Sequence, residues 1–290
     1  MMEQKIAFVI NPNAGVKKKI NIIEFIKANF PKNIPYDFIV WKNKFDFNSV
    51  KDQILAGNYS IAVACGGDGT VNQVSSVVAH TNMALGIFPL GSGNGLARSN
   101  RIPLNLNKAL QIIERGTIKT IDGALINDHP FFCTAGIGFD AHIANEFATS
   151  TKRGFITYFS TSVKEFFGYK PNLYKITVDG KVVETRAFLI TVANAGQWGN
   201  DVYIAPEAEL TDGILNVSIL KEFPKAAIPM IGIKLFSKKI HTSINLHSEK
   251  GKNIDIEFAG ELPVHFDGEP ITATNKLSIS VMPLALKIVC

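Results

Sequence analysis

Three short apolar runs in the amino-terminal third each end in a glycine-rich turn, and a helical pattern follows each turn. Ile6–Ile10 leads into Asn11-Pro12-Asn13-Ala14-Gly15, Ile61–Cys65 into Gly66-Gly67-Asp68-Gly69-Thr70, and Ala84–Phe88 into Pro89-Leu90-Gly91-Ser92-Gly93-Asn94-Gly95. An unbroken apolar run of this length reads as a strand buried on both faces, as in a parallel sheet covered by helices. A further strand is expected at Tyr36–Val40. Between the strands, Ile20, Ile23, Phe25, Ile26 and Phe30 recur at helical spacing, as do Val50, Ile54 and Leu55, and then Val71, Val74 and Val78. Gly57 and Gly116 stand where helices should stop, the second after a helix over Lys108–Arg115. Alternation at this spacing predicts an α/β domain with a parallel sheet over residues 1–123.

The turns carry the chemistry. Glycine lets backbone N–H groups turn toward a phosphate without interference from a Cβ, and a following helix N-terminus adds partial positive charge. One such turn is a weak signal. Three at the carboxyl ends of one parallel sheet, where such sheets bind ligands, point to a phosphate-rich ligand. Asp68 complicates this, because a carboxylate in a phosphate loop repels the ligand unless a metal or hydroxyl offsets it. It could hold Mg²⁺ through water, contact a sugar hydroxyl, or take a proton from an attacking alcohol. The bland alternative is a cap for a helix starting near Thr70.

After about Ile118 the texture changes to β. Tyr174–Val178, Asp179-Gly180 and Val182 onward read as a hairpin with a type I′ turn, and further runs follow at Phe188–Val192, Leu215–Leu220, Ile254–Phe258 and Leu277–Val281. A β-rich domain over residues 124–290 is expected, with one helical interruption between His142 and Gly168. The segment from about residue 276 is able to return to the first domain.

The three cysteines lack CxxC spacing, which argues against a disulfide framework or zinc site and for a reducing compartment. No apolar run approaches the roughly 18 residues of a membrane-spanning helix, so a cytoplasmic protein, at most peripheral to a membrane, is expected. A net charge of +5 suits a phosphate-bearing ligand or an anionic surface. Nothing in the pattern points to nucleic acid. Lys152 and Arg153 precede Phe155, Tyr158 and Phe159, while Lys221, Lys225, Lys234, Lys238 and Lys239 bracket Phe223, Ile228, Met230, Ile231 and Phe236. Such pairing suits an anionic interface, although solvated lysines over buried aromatics give the same pattern. Lys17-Lys18-Lys19 either steers a nucleotide or lies on a solvated helix face. Exposed β-edges leave a homodimer open.

Asn11–Gly15, Gly66–Asn72 and Pro89–Asn94 together resemble the diacylglycerol kinase and sphingosine kinase catalytic-domain family, in its soluble bacterial lipid-kinase form. GGDG alone is shared with NAD kinases, but Thr134–Ala141, Leu210–Leu215 and Asp267-Gly268-Glu269 separate the two. The similarity runs from about Lys5 to Val281. It implies a Rossmann-like nucleotide-binding domain, a β-sandwich-like second domain and an active site in the cleft between them. Asn11, Pro12, Asn13, Ala14, Gly15, Gly66, Gly67, Asp68, Gly69, Thr70, Val71, Asn72, Gly91, Ser92, Gly93 and Asn94 would contact ATP. Asp212 would hold Mg²⁺ through its carboxylate, with Glu209 and Ile214 contributing backbone carbonyls. Glu269 matches the proposed general base on the lipid hydroxyl, a role some relatives assign to the aspartate at Asp68. The bland readings of Asp212-Gly213 and of Asp267-Gly268-Glu269 are polar turns between strands. Two departures stand out: Gly95 replaces an acid common in relatives, and Trp41 replaces a threonine often found after the second strand. The expected activity is ATP- and Mg²⁺-dependent phosphorylation of a diacylglycerol-like lipid, presented at a membrane surface or in micelles. The rivals are a NAD kinase and a catalytically inactive nucleotide- or lipid-binding module.

Overall fold

The computed structural model describes residues 5–12, 21–42, 46–149, 165–166 and 168–290. Of the residues singled out above, Asn13, Ala14, Gly15, Lys17, Lys18, Lys19, Ile20, Lys152, Arg153, Phe155, Tyr158 and Phe159 lie outside the described residues. The chain divides into two compact units: Met1–Ile121 with Leu284–Cys290, and Asp122–Pro283.

In the first unit, β1 (Ile6–Ile10), β2 (Tyr36–Val40), β3 (Ile61–Gly66) and β4 (Ala84–Pro89) form a parallel sheet in the order β4-β3-β1-β2. The strands β1, β3 and β4 are buried at every position, whereas β2, at the edge, is buried only at Ile39. That difference is why three of them read as continuous apolar runs and the fourth as a mixed one. Helices α1 (Ile22–Asn29), α2 (Phe47–Ala56) and α3 (Asp68–Val78) connect them, and α4 (Gly95–Ser99) and α5 (Leu106–Arg115) follow β4. The last is the most plainly amphipathic, burying Leu106, Ala109, Leu110 and Ile113. Asn105 caps its start, accepting from Lys108 N at 3.1 Å, and Gly116 ends it in the left-handed region at φ 63°. The last strand of the chain, β15 (Glu269–Val289), enters this unit from Leu284, and its Ile288 pairs in parallel with Leu85.

The second unit follows from two long strands, β9 (Lys181–Ala193) and β14 (Asn253–Phe266), each of which changes partner midway. The first half of β9 pairs with β8 (Asn172–Val178), and its second half lies between β7 (Thr134–Gly138) and β12 (Leu215–Lys221). In the same way β14 begins between β8 and β15 and ends between β7 and β15. The circuit β7-β9-β8-β14 therefore closes on itself, around Ile137, Tyr174, Ile176, Ile190, Val217, Ile256 and Val264. Closure leaves few free edges on this core. The partner change in β14 coincides with a register shift between Glu257 and Glu261, where Gly260 takes φ 79° and donates to Asn275 Oδ1 at 2.9 Å. The hairpin at Asp179-Gly180 has φ 45° and 87°, as a type I′ turn requires.

Also in this unit are β5 (Ile118–Ile126, beginning in the first unit), β6 (His129–Phe131), α6 (Phe139–Thr149), β10 (Gln197–Gly199), β11 (Val202–Tyr203), α7 (Ile228–Phe236) and β13 (Leu246–Gly251). Cys65, Cys133 and Cys290 are free, and burial pushes the Cys65 thiol far up. Among the described residues no helix is long and apolar enough to cross a membrane.

Candidate active site

Each glycine turn of the first unit leaves the carboxyl end of a parallel strand, so strand register alone brings the turns together. Leu90 N donates to Gly66 O at 2.9 Å, and Asn11 Nδ2 to Thr70 Oγ1 at 3.3 Å. The second and third turns touch backbone to backbone: a Cβ on Gly91 would lie 2.7 Å from Gly67 Cα. No side chain fits there. Asn94 adopts φ 51° and clamps Gly91 from both sides, its Oδ1 accepting from Gly91 N at 3.0 Å and its Nδ2 donating to Gly91 O at 2.8 Å. Arg98 Nε donates to Gly93 O at 3.1 Å. Thr70, Val71, Asn72 and Asn94 are buried, Ser92 and Pro12 are exposed, and Gly66 is the last residue of β3. Trp41 is buried and stacks on Phe47.

Asp68 does not cap a helix that starts near Thr70. It is the first residue of α3 rather than a cap before Thr70, and Gly67 holds the cap position without any side chain. The Asp68 carboxylate instead accepts from Asn94 N at 3.0 Å and Gly95 N at 2.7 Å. It therefore occupies the start of α4 and leaves the uncapped first turn of α3 as the helix end suited to an anion. Glycine at position 93 belongs to the same arrangement, since a Cβ there would sit 2.7 Å from Asp68 Oδ2.

In the second unit the two acidic turns are joined through buried groups. The turn after β14 has Asp267 at φ 48° and Gly268 at 85°, and Glu269 opens β15 with its side chain exposed. Asp267 faces inward: its Oδ2 accepts from Phe132 N at 2.9 Å, and its Oδ1 from Cys133 N at 2.8 Å and Thr134 N at 3.1 Å. The fully buried Asn194 then links Phe132 O and Asp122 O, at 2.8 and 2.9 Å. Asp122, also buried, accepts from Gly213 N at 2.7 Å through Oδ2, and its own N–H donates to Leu210 O at 2.7 Å. The chain of bonds ends at Gly213 and Leu210, on either side of the exposed Asp212, whose Oδ1 accepts from Ile214 N at 3.0 Å.

Sequence reasoning missed Asp122 and Asn194. The available signal was a carboxylate at the second position of Ile121-Asp122-Gly123-Ala124-Leu125, an otherwise apolar run. Asp140, within the Thr134–Ala141 segment, lies in the first turn of α6 and is buried. Its Oδ1 accepts from Ala141 N at 2.9 Å, and its Oδ2 meets Thr191 Oγ1 at 2.9 Å and His265 Nε2 at 3.2 Å. These contacts fasten α6 to β9 and β14.

Among the described residues no three His, Cys, Asp or Glu side chains gather to hold a metal. A cation at the Asp212 turn would use that one carboxylate, backbone carbonyls near Glu209 and Ile214, and water. Magnesium accepts such a sparse, oxygen-only donor set.

A parallel sheet with linked glycine turns, followed by a closed β unit, defines the two-part fold common to NAD kinases and diacylglycerol kinases. Residues 5–126 match the diacylglycerol kinase catalytic domain, and residues 133–290 match the YegS C-terminal NAD kinase beta sandwich-like domain. The chain belongs to the diacylglycerol kinase family, in its YegS-like lipid-kinase branch. A Yersinia pestis protein named "Probable lipid kinase YegS-like" is 29% identical over 243 residues, 79% of this chain and 78% of that protein. An uncharacterized Synechocystis protein is 28% identical over 237 residues, and the match spans 79% of this chain but about half of the relative (54%). Among solved structures, a Bacillus anthracis diacylglycerol kinase superposes with TM-score 0.73 at 22% identity, covering 99% of this chain and 96% of that one. An Archaeoglobus fulgidus NAD kinase in complex with ATP gives 0.56 at 12% identity, over 99% of this chain and 94% of that one. At these identities both show the fold alone.

Proposed function

We propose that the protein transfers the γ-phosphoryl group of ATP to the hydroxyl of a diacylglycerol-like or related long-chain lipid. The observation that carries this reading is the joining of the Asp267-Gly268-Glu269 turn to the Leu210–Ile214 turn through the buried Asn194 and Asp122, in a chain whose segments after β1, β3 and β4 are also linked to one another. A protein that merely bound nucleotide would need no such pair of acidic turns.

In this reading the ATP phosphates lie against the N–H groups of Gly66–Asn72 and Gly91–Asn94, at the uncapped start of α3. Asp68 holds the third turn in place for them. The lipid oxygen attacks the γ-phosphorus, the bond to the β-phosphate oxygen breaks, and ADP leaves. Glu269 orients the lipid hydroxyl and accepts its proton late, when the bond to phosphorus is largely made. Mg²⁺, held by Asp212 and carbonyls near Glu209 and Ile214, would neutralise charge on the phosphates. Most of the acceleration comes from positioning and charge neutralisation.

Incubation with labelled ATP, Mg²⁺ and a panel of diacylglycerols, sphingoid bases and phosphatidylglycerol tests the proposal. Label in a lipid product supports it, and its omission with Mg²⁺ withheld supports the metal assignment. Label in NAD instead, or in no acceptor, would overturn the lipid-kinase reading.

The Gly67–Gly91 contact makes a sharper prediction. In Gly91→Ala the new methyl must push the two phosphate turns apart, an overpacking strain of about 1–3 kcal/mol. The Kd for ATP, measured by calorimetry, should rise roughly tenfold or more. An unchanged Kd would mean the spacing of these turns does not set nucleotide affinity.

A further inference from the structure

The helix α7 (Ile228–Phe236) is apolar on the face that should be polar. At about 100° per residue, Ala227, Ile231 and Leu235 fall on one side and join the hydrophobic cluster that contains Phe139, Phe188, Leu189 and Leu220. Met230, Ile233 and Phe236 fall opposite, and they are 57, 62 and 51% exposed. Ile244, in the loop that follows, is 96% exposed. A surface helix of a soluble protein keeps charged groups on its outer face; here the outer face carries large apolar side chains.

The segment that carries it is basic. From Lys221 to Asn245 the charged residues are Lys221, Glu222, Lys225, Lys234, Lys238 and Lys239, five lysines against one acid. Lys238 and Lys239 are exposed just past the helix end, and Lys238 Nζ rests 4.4 Å from the centre of the Tyr203 ring. Lys234 Nζ donates to Thr242 O at 2.9 Å, fixing the following loop beside the helix. An isologous contact with a second copy would set these lysines against their own like charges. An anionic lipid surface satisfies both parts at once: apolar side chains enter the acyl boundary while lysines meet the headgroups.

We infer that α7 and the loop through Ile244 form a docking surface for an anionic bilayer. The inference deepens the lipid-kinase reading and rests on it for purpose, since a water-insoluble acceptor must be met at its membrane. The geometry of the surface stands without that reading.

The test compares the wild-type protein with Met230→Gln/Ile233→Gln/Phe236→Gln and with Lys238→Gln/Lys239→Gln. Binding is measured by co-sedimentation with phosphatidylcholine vesicles, with and without one part in three phosphatidylglycerol. Wild type should bind the anionic vesicles and bind neutral ones at least tenfold more weakly. The apolar variant should lose at least tenfold in affinity, and the lysine variant about fivefold per lysine removed. Melting temperatures should not fall, because the replaced side chains are exposed. Vesicle binding equal to wild type in the apolar variant would overturn the proposal. So would a dimer that this variant turns into a monomer, which would assign the face to self-association.

A kinase arm separates the two readings. The apolar variant should phosphorylate a short-chain diacylglycerol, dispersed below its micellar concentration, as fast as wild type, yet be about tenfold slower on long-chain lipid in vesicles. Wild type that binds vesicles but phosphorylates no lipid keeps the docking surface and removes the kinase. Phosphorylation without any vesicle binding does the reverse.

Discussion

The Asp68→Ala variant is expected to transfer phosphate about 10²–10³-fold more slowly than wild type, the range seen when one preorganised charge-stabilising contact is lost. Asp68 carries two hydrogen bonds from backbone N–H groups, at 3.0 Å from Asn94 and 2.7 Å from Gly95. Bonds to an ionised acceptor stabilise by roughly 1.5–3 kcal/mol each. With the carboxylate gone, the start of α4 turns its unsatisfied N–H groups on whatever anion is near, and the Gly91–Asn94 turn loses its anchor. ATP affinity should then fall together with kcat, and the melting temperature should drop. Asp68→Asn discriminates among causes: it keeps one acceptor oxygen and the side-chain shape but no charge. If the residue acts through the loop, Asn should recover stability and ATP affinity in part. If it also organises charge at the phosphates, kcat should stay low in Asn while affinity recovers. A variant that melts early but turns over at the wild-type rate would reduce Asp68 to a structural clamp.

This double use of one carboxylate marks the limit of what the sequence could tell. The parallel sheet was legible because β1, β3 and β4 are buried at every position, and such strands appear as unbroken apolar runs. The turns were legible because glycine is required wherever two backbones meet, as at Gly67 and Gly91. The partner of Asp68 was not legible, since a residue at the start of α3 finds its donors 26 and 27 positions away, in another turn. The same holds in the second unit. Asp179-Gly180 announced its hairpin, which is local, but the closure of β9 and β14 into a circuit rests on strand pairings that no short window contains. Asp122 and Asn194 were hidden for a related reason. Each looks like an isolated polar residue in its own segment, and its meaning lies in Gly213, Leu210 and Phe132. Polar residues inside apolar strands are best read as one half of a pairing whose other half is distant.

The Asp267-Gly268-Glu269 turn turns that lesson into a contrast between two neighbouring acids. Asp267 binds three backbone N–H groups, from Phe132, Cys133 and Thr134. Asp267→Asn sets a side-chain NH₂ against backbone N–H groups and should destabilise by about 3 kcal/mol, seen as a melting temperature lower by roughly 5–10 °C. Glu269 is exposed at the start of β15, so Glu269→Gln should leave the melting temperature unchanged. Its effect should fall on chemistry: kcat lower by about 10²–10⁴-fold, the usual contribution of a general base, with the KM for ATP close to wild type. Asp267→Asn should slow turnover as well, but indirectly, because Glu269 projects from the turn that Asp267 holds. Lowering the temperature should therefore restore part of the Asp267→Asn rate and none of the Glu269→Gln rate. Wild-type kcat in Glu269→Gln would transfer the base role to Asp68, and the reduced rate of Asp68→Ala would then have to persist when its turn is kept in place by the asparagine variant.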